Sequence, residues 1–465
     1  MHASKDKKIA IIGAGISGLS CAFLLQQQGH DITLFEEKPR AGGWIKTVCE
    51  GGFLFEAGPR SLRPFGSGAE TLKLIESLEL TNEIIFGSPS AKKRYLFHKG
   101  KRRALPRSIL SACFSPYMPL LISAIAHDLT ANKTQFSDES IASFATRRFG
   151  KSTANTFFDP LTTGIYAGTM ENLSVKACFP NLFAYEQTKG SVIKGLLATP
   201  KTAASPFQKT AQKHALFSFR SGLETLTDKL AEKVQHCINY STNITEISCY
   251  GNQVYLELCD GSSRNYDCAI STIPAHRLAP LIRHSPPKIK PELLKIPAAS
   301  VAVVNVGYSE TVGKLDGFGH LIPSSNNNKI LGIVYDSAVF PEQNNGTQTR
   351  LSIMIGGTHR PDLIDASDEA LGKIALNAVK EQLNIAKVPA CLLVHRQKEA
   401  IPQYPVGHPE NMQQIERLVK HNFPTLLLHG HSFYGVAVND CIARSIKIAE
   451  ICKKNPSASQ STTRQ

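Results

Sequence analysis

The sequence predicts an α/β fold: a parallel, Rossmann-like dinucleotide-binding domain, a mixed or antiparallel substrate sheet and a helical segment. Three observations carry this. A β-branched run at residues 8–12 leads directly into Gly13-Ala14-Gly15-Ile16-Ser17-Gly18 and a helical apolar pattern. From about residue 276 to 419 the pattern is mostly that of strands, among them "SVAVVNVGYS", "KILGIVYDS" and "RLSIMIGG". Between them lies a segment with a charge-free run of nineteen residues, 108–126, that reads as helical.

The opening run has the composition of a parallel strand buried on both faces. Each glycine after it has a physical task. Gly13 permits a tight turn, Gly15 lets the backbone approach a pyrophosphate, and Gly18 lets the helix pack closely on the strand. Leu19, Ala22 and Phe23 share one helical face, and Gly29 stands where a helix stop belongs. The helix N-terminus, with its free N–H groups and partial positive charge, suits phosphate oxygens. A second strand, Ile32 to Phe35, ends at Glu36, where a carboxylate accepts hydrogen bonds from ribose hydroxyls. An acid there repels a 2′-phosphate and disfavours NADP.

The next segment separates FAD from NAD. Arg40-Ala41-Gly42-Gly43-Trp44 and "GGFLFEAGPRS", residues 51–61, form a second glycine-rich stretch with a basic residue, where a nicotinamide dehydrogenase would place its next βα unit. A second anion-friendly loop beside the first suits an extended dinucleotide, so FAD is expected. The fingerprint does not recur, so no nicotinamide domain is expected, and without a CxxC pair the disulfide-reductase layout is excluded.

With 465 residues, two or three domains are expected. Hydrophobic content of 42% and charged content of 19% describe a globular chain. The formal net charge of +14 attracts anions or serves solubility alone; no nucleic-acid partner is expected. Eleven cysteines, scattered, read as small hydrophobes in a reducing compartment. No ligands sit at metal spacing, so no metal is expected. The first residues lack an apolar core and give no secretory signal, and residues 454–465 read as a disordered tail.

Within 91–108 lies a strand at Tyr95-Leu96-Phe97 between basic flanks, ordinarily a solvated hairpin. Residues 108–126 are long enough to span a bilayer, but Pro116 and Pro119 interrupt them. Buried core helices and a monotopic patch both remain open. "DPLTTGIYAGTM", 159–170, reads as a glycine-rich loop after a helix. Residues 217–234 give a strand, a turn and an amphipathic helix. Val254 to Leu258 alternates as a strand before an Asp260-Gly261 turn. Leu321, Ile322 and 330–333 are candidates for apolar cavity walls. Thr425 to His429 reads as a strand, followed by a helix capped by Asn439 or Asp440.

Taken together, "GAGISGL…LFEEKPRAGGW…FEAGPRS" and "HGHSFYGVAVNDCI" resemble the FAD superfamily of amine oxidases, phytoene desaturases and protoporphyrinogen oxidases. The specific match is to the protoporphyrinogen oxidase family, which carries GGW, F-E-x-GPR and a C-terminal G-x-S-x-x-GVAVNDCI. "RYLFHKG", "GIYAG" and "FSFRSGLETL" are similar to its internal blocks. The resemblance runs to about Cys452.

The resemblance implies that FAD is contacted by Gly13, Ala14, Gly15, Ile16, Ser17, Gly18, Glu36, Glu37, Trp44 and Gly58-Pro59-Arg60-Ser61. It implies that the Ile244 backbone binds adenine. His431, Val436, Ala437 and Val438 would approach the flavin ring, although His431 stands where the family usually has a small residue. Arg94 would pair with a substrate propionate, and the Gly164 backbone would lie near the reacting ring as the catalytic position.

The domains implied are 1–88, 216–275 and 420–453 for FAD; 89–100 and 276–419 for substrate; and 101–215 for a helical, membrane-associated domain. The activity implied is six-electron oxidation of protoporphyrinogen IX to protoporphyrin IX in heme biosynthesis, with oxygen giving hydrogen peroxide. Rival readings are a coproporphyrinogen III oxidase of the same fold, a flavin amine oxidase or carotenoid desaturase, and a non-enzymatic membrane-associated flavoprotein. The expected location is the cytoplasm, peripheral on the cytoplasmic face of the inner membrane. A homodimer is left open.

Overall fold

The structure is a computed structural model and describes residues 7–106, 109–198, 205–283, 288–326 and 328–454. The tail read as disordered lies outside the described residues from 455 onward.

The first sheet has five parallel strands in the order Leu426–Leu428, Cys268–Ser271, Lys8–Ile12, Asp31–Phe35, Ile238–Asn239. Side chains alternate across a strand, and the central strand shows what that does here. Ile9 and Ile11 enter a core with Leu19, Phe23, Leu226 and Ile442, whereas Ala10 and Ile12 enter one with Ile247, Leu256 and Phe433. The first core packs helices Ile16–Gln26, Glu224–Lys233 and Val438–Lys454 on one face. A three-stranded meander, Ile244–Tyr250, Gln253–Leu258 and Ser263–Tyr266, covers the other. Both faces are thus occupied, which is why the strand is uniformly apolar.

The second sheet has seven strands in the order Cys391–Pro402, Ala298–Tyr308, Thr349–Gly356, Ile330–Val334, Gly319–Leu321, Tyr95–His98, Lys101–Ala104. Its pairs are antiparallel except Gly319–Leu321 with Tyr95–His98, so the sheet is mixed. The Tyr95 hairpin runs past the boundary expected at residue 100, because Lys101–Ala104 closes the sheet edge. The same alternation again separates two surfaces. Ala302, Val304, Ile353 and Ile355 pack beneath helix Asp368–Leu383, while Val301, Val303 and Met354 face the main cavity.

Residues 109–198 and 205–211 form short helices. Their core gathers Phe144, Phe149, Tyr166, Leu173 and Val192. A buried charge cluster ties them together. The Arg148 guanidinium donates to the Asp128 carboxylate at 2.8 Å and to the Gly190 carbonyl at 2.8 Å, and the Ser191 hydroxyl also donates to Asp128. Buried ions persist only when paired and hydrogen-bonded in this way. Among the described residues no helix is long and apolar enough to cross a membrane.

Two expectations need correction. "DPLTTGIYAGTM" is not a loop: Asp159–Tyr166 is a helix that stops at Ala167, whose φ of 49° is left-handed. Helix Val438–Lys454 starts ahead of both residues expected to cap it. The Asn439 side chain instead donates to the Arg63 carbonyl at 2.9 Å and accepts from the Thr71 hydroxyl at 2.8 Å, and Asp440 accepts from Ser67 at 2.7 Å. These bonds fix the helix start against residues 63–71 rather than terminating it.

Candidate functional site

One large cavity, about 750 Å³, runs from the fingerprint loop to the second sheet. That volume is within the range of small-molecule and cofactor sites. Its first end is built by backbone. Helix Ile16–Gln26 begins at Gly15 with no side chain capping it, so its first N–H groups stay open toward the cavity that Ile16 and Ser17 line. A Cβ on Gly18 would lie 1.9 Å from the Gly13 carbonyl oxygen, so only glycine lets this helix sit so close. Gly43 also comes close: its Cβ would be 3.0 Å from the Gly15 Cα, and Gly42 N–H donates to the Ala14 carbonyl at 2.8 Å. The two glycine loops therefore form one cradle.

Glu36 braces it. Its carboxylate accepts from Ala14 N–H at 2.7 Å and Lys38 N–H at 3.0 Å. The acid lines the cavity and also fixes the loop that carries Gly13 and Gly15.

The structure brings Gly13, Gly15, Ile16, Ser17, Glu36, Glu37, Trp44, Gly58, Pro59, Arg60, Gly164, Ile244, His431, Val436 and Val438 to the cavity wall. Ala14, Gly18, Ser61 and Ala437 do not line it: Ala14 bonds Glu36, Gly18 packs on Gly13, Leu62, next to Ser61, pairs with Phe217, and Ala437 is exposed. Arg94 is also not on that wall. Its guanidinium lies 4.9 Å from the Phe318 ring centroid, and burial, then the charge of Arg63, lowers its pKa. Among the described residues no carboxylate pairs with Arg94 or Arg63.

Sequence reasoning missed more than half of the wall. Thr242 and Asn243 flank Ile244, and Thr272, His276 and Arg277 follow the fourth strand of the parallel sheet. Gln397, Lys398, Ala400 and Ile401 come from a bulged edge strand, where the register shifts between Ala299 and Val301 and Glu399 has a φ of 49°. A bulge leaves no mark in an alternating sequence. The "TIP" after the strand, with Pro274 ending it, was the one usable signal.

The second end is apolar: Val301, Val303, Leu321, Leu331, Met354 and Ile401 line it. Of the other wall candidates, Ile322, Ile330 and Ile333 are core. Gly164 lies in the helix opposite, where a Cβ would come 2.6 Å from Leu321 Cδ2. His431 sits between the two ends. Its Nε2 is buried without a hydrogen-bond partner. Burial, then the charge of His276, pushes its pKa down to about 4, against the Ala400 carbonyl, which favours the proton. The neighbouring turn is fixed by Tyr404, whose hydroxyl donates to the His431 carbonyl and accepts from Gly435 N–H.

A cradle of close-packed glycines, open helix N–H groups, a bracing acid and an unpartnered imidazole nitrogen fit a dinucleotide carrying a polar ring system. The profile of the flavin-containing amine oxidoreductase family matches residues 16–452, and the chain belongs to that family. Its cofactor is FAD. More narrowly, it is a protoporphyrinogen-oxidase-like flavin oxidoreductase. It is 36% identical over 461 residues to protoporphyrinogen oxidase of Bos taurus, covering 94% of this chain and 96% of that one. It is 33% identical to the Schizosaccharomyces pombe protoporphyrinogen oxidase, with 93% and 96% covered. Coproporphyrinogen III oxidase of Bacillus subtilis is 28% identical, with 94% and 96% covered. Among solved structures, a protein from Exiguobacterium sp. 255-15, provisionally assigned as a protoporphyrinogen oxidase, superposes with a TM-score of 0.82 at 22% identity, covering 97% and 99% of the two chains.

Proposed function

We propose that this protein oxidises protoporphyrinogen IX to protoporphyrin IX, with oxygen as acceptor and hydrogen peroxide as product. The observation that carries this reading is the continuity of the cavity: the dinucleotide cradle opens directly onto an apolar wall shaped by Leu321, Leu331, Val301 and Met354. A flat, largely apolar macrocycle suits that wall. Bound FAD supplies the acceptor for a hydride from a meso carbon. The chain's own residues position and shield. The bare backbone of the Asp159–Tyr166 helix at Gly164 lets Leu321 pack directly against it, which sets the helix against the apolar wall, and that wall excludes water. A pyrrole N–H loses the matching proton, and three such oxidations aromatise the macrocycle. The first would draw on no strong base, and aromatisation favours the last.

Arg94 and Arg63, without a carboxylate of their own among the described residues, suit a propionate in a forked pairing. The coproporphyrinogen reading is favoured by a different feature: Arg277, Arg283 and Lys398 all line the cavity, and a tetracarboxylate would use more cations. Mixing the yellow holoprotein with each porphyrinogen and following porphyrin fluorescence decides between them. A protein that oxidises neither, under air or with an artificial acceptor, rules out both.

The same reading places the protein at a membrane surface. The short helices expose Leu110 and Phe114, and helix Val192–Ala198 exposes Leu196 and Leu197; Phe114 and Leu197 are 86% and 84% exposed. Apolar side chains beside the basic Lys101–Ala104 strand are the pattern of a monotopic contact. Flotation with anionic liposomes tests it, and a double change, Phe114→Ser with Leu197→Ser, should release the protein.

A further inference from the structure

Among the described residues, Arg60 is the one arginine of the cavity wall held by an ion pair from across the cavity. Its Nη1 lies 3.3 Å from Asp336 Oδ1, with both side chains largely buried. Asp336 follows strand Ile330–Val334 of the seven-stranded sheet, whereas Arg60 belongs to the segment beyond the glycine cradle. The acid is itself held. Its Oδ2 accepts from the Ser352 hydroxyl at 2.6 Å, and that oxygen accepts from the Asn305 amide at 2.7 Å. Asn305 and Ser352 are buried on neighbouring central strands. At the other end, the Ser218 hydroxyl donates to the Arg60 carbonyl at 3.1 Å, fixing its backbone.

We propose that Asp336 is a positioning residue: through Asn305 and Ser352 it holds the Arg60 guanidinium against the bound FAD. A guanidinium carries five donors, and Asp336 engages one side of the fork. Arg60 lines a cavity whose ligand bears phosphates and a ring that becomes anionic when reduced, and its other donors are left for that ligand. A long arginine held in place before binding loses less freedom on binding. The other charges around the pair do not replace Asp336. Glu56 is nearby, but burial pushes its pKa up to about 8 and disfavours its charged form, and Arg350 spends its donors on the Leu54 and Phe340 carbonyls and on Asn344. Asp336 is therefore the anion that opposes Arg60. This rests on the placement of FAD in the cavity described above.

The test is a cycle on the holoprotein, read by the rate of FAD loss on dilution and by the visible flavin spectrum. Asp336→Asn should speed FAD loss about tenfold and shift the flavin absorption bands, since hydrogen bonds to charged groups contribute at that scale. Ser352→Ala should do the same more weakly, and Asp336→Glu should restore part of the loss. Arg60→Met should match Asp336→Asn, and combining them should add nothing. Full additivity, or unchanged FAD loss and spectrum in Asp336→Asn when Arg60→Met is impaired, overturns the proposal. If Arg60→Met itself changes neither reading, Arg60 does not face the flavin, and the placement of the cofactor beside it falls first. Melting of each protein stripped of FAD separates these effects from misfolding: an Asp336→Asn loss explained by a lower melting point alone also overturns the proposal.

Discussion

The two ends of the cavity obey different rules. The dinucleotide end is made of backbone: glycines in contact, open N–H groups and one acid that bonds two amides. Gly13 and Gly18 there have no room for an added carbon. The far end is made of side chains from five strands and a helix, and any apolar residue of suitable volume would make much the same wall. Binding of FAD thus depends on a few positions absolutely, while substrate fit is spread over many.

The sharpest way to break that contrast is Gly18→Ala. The added methyl would meet the Gly13 carbonyl, and overpacking at such a site costs about 3 kcal/mol. The purified protein should be colourless and melt at lower temperature; a normal yellow protein would show that the close approach is not needed. Gly164→Val tests the opposite end. Its side chain would press on Leu321, so FAD should be retained while kcat/KM for the porphyrinogen falls about a hundredfold, the scale of a displaced reacting group. If flavin is lost as well, the two ends are not separable. Arg94→Ala should raise KM by about tenfold and change kcat less, because a propionate contact is made in ground and transition states alike. An unchanged KM removes Arg94 from the site.

The smallest effect lies at the seam between the two ends. Glu56 accepts from Leu223 N–H at 2.7 Å and Thr47 at 3.0 Å, yet burial dominates and pushes its pKa up to about 8. Between the ordinary carboxyl value and about 8, the folded chain binds a proton that the unfolded chain has released. Stability contributed by this group is therefore full at low pH and declines as pH rises through that window. Glu56→Gln should abolish that decline, so variant and wild type should diverge in melting temperature as pH rises from 6 to 8. Parallel curves would show that Glu56 is ionised throughout.

The same contrast governs what could be read from the sequence. The cradle was legible because backbone approach demands glycine at fixed spacing, and Glu36 follows at a strand end. The far wall was mostly illegible. Val301, Met354 and Ile401 are ordinary strand residues, and only the register of the bulged sheet turns them toward the cavity. "GIYAG" suggested a loop because of its glycines. The helix there is held by Asp159, whose carboxylate accepts from Ser324 N–H at 2.7 Å, and by Gln403, which donates to the Tyr166 carbonyl at 2.7 Å. Those partners lie more than a hundred residues away, beyond any local pattern. Asp336 was overlooked for a related reason. Nothing in "YDS" marks an acid that will meet Arg60 across two sheets.

The parallel sheet draws its edge strand from Leu426–Leu428, some four hundred residues after its first strand was made. During synthesis the growing chain emerges amino end first. The glycine loop would thus leave the ribosome long before the helix that covers it, Val438–Lys454. A nascent chain halted before that helix would present bare apolar strands and an unfinished nest, and its capture of the yellow cofactor should wait until translation ends.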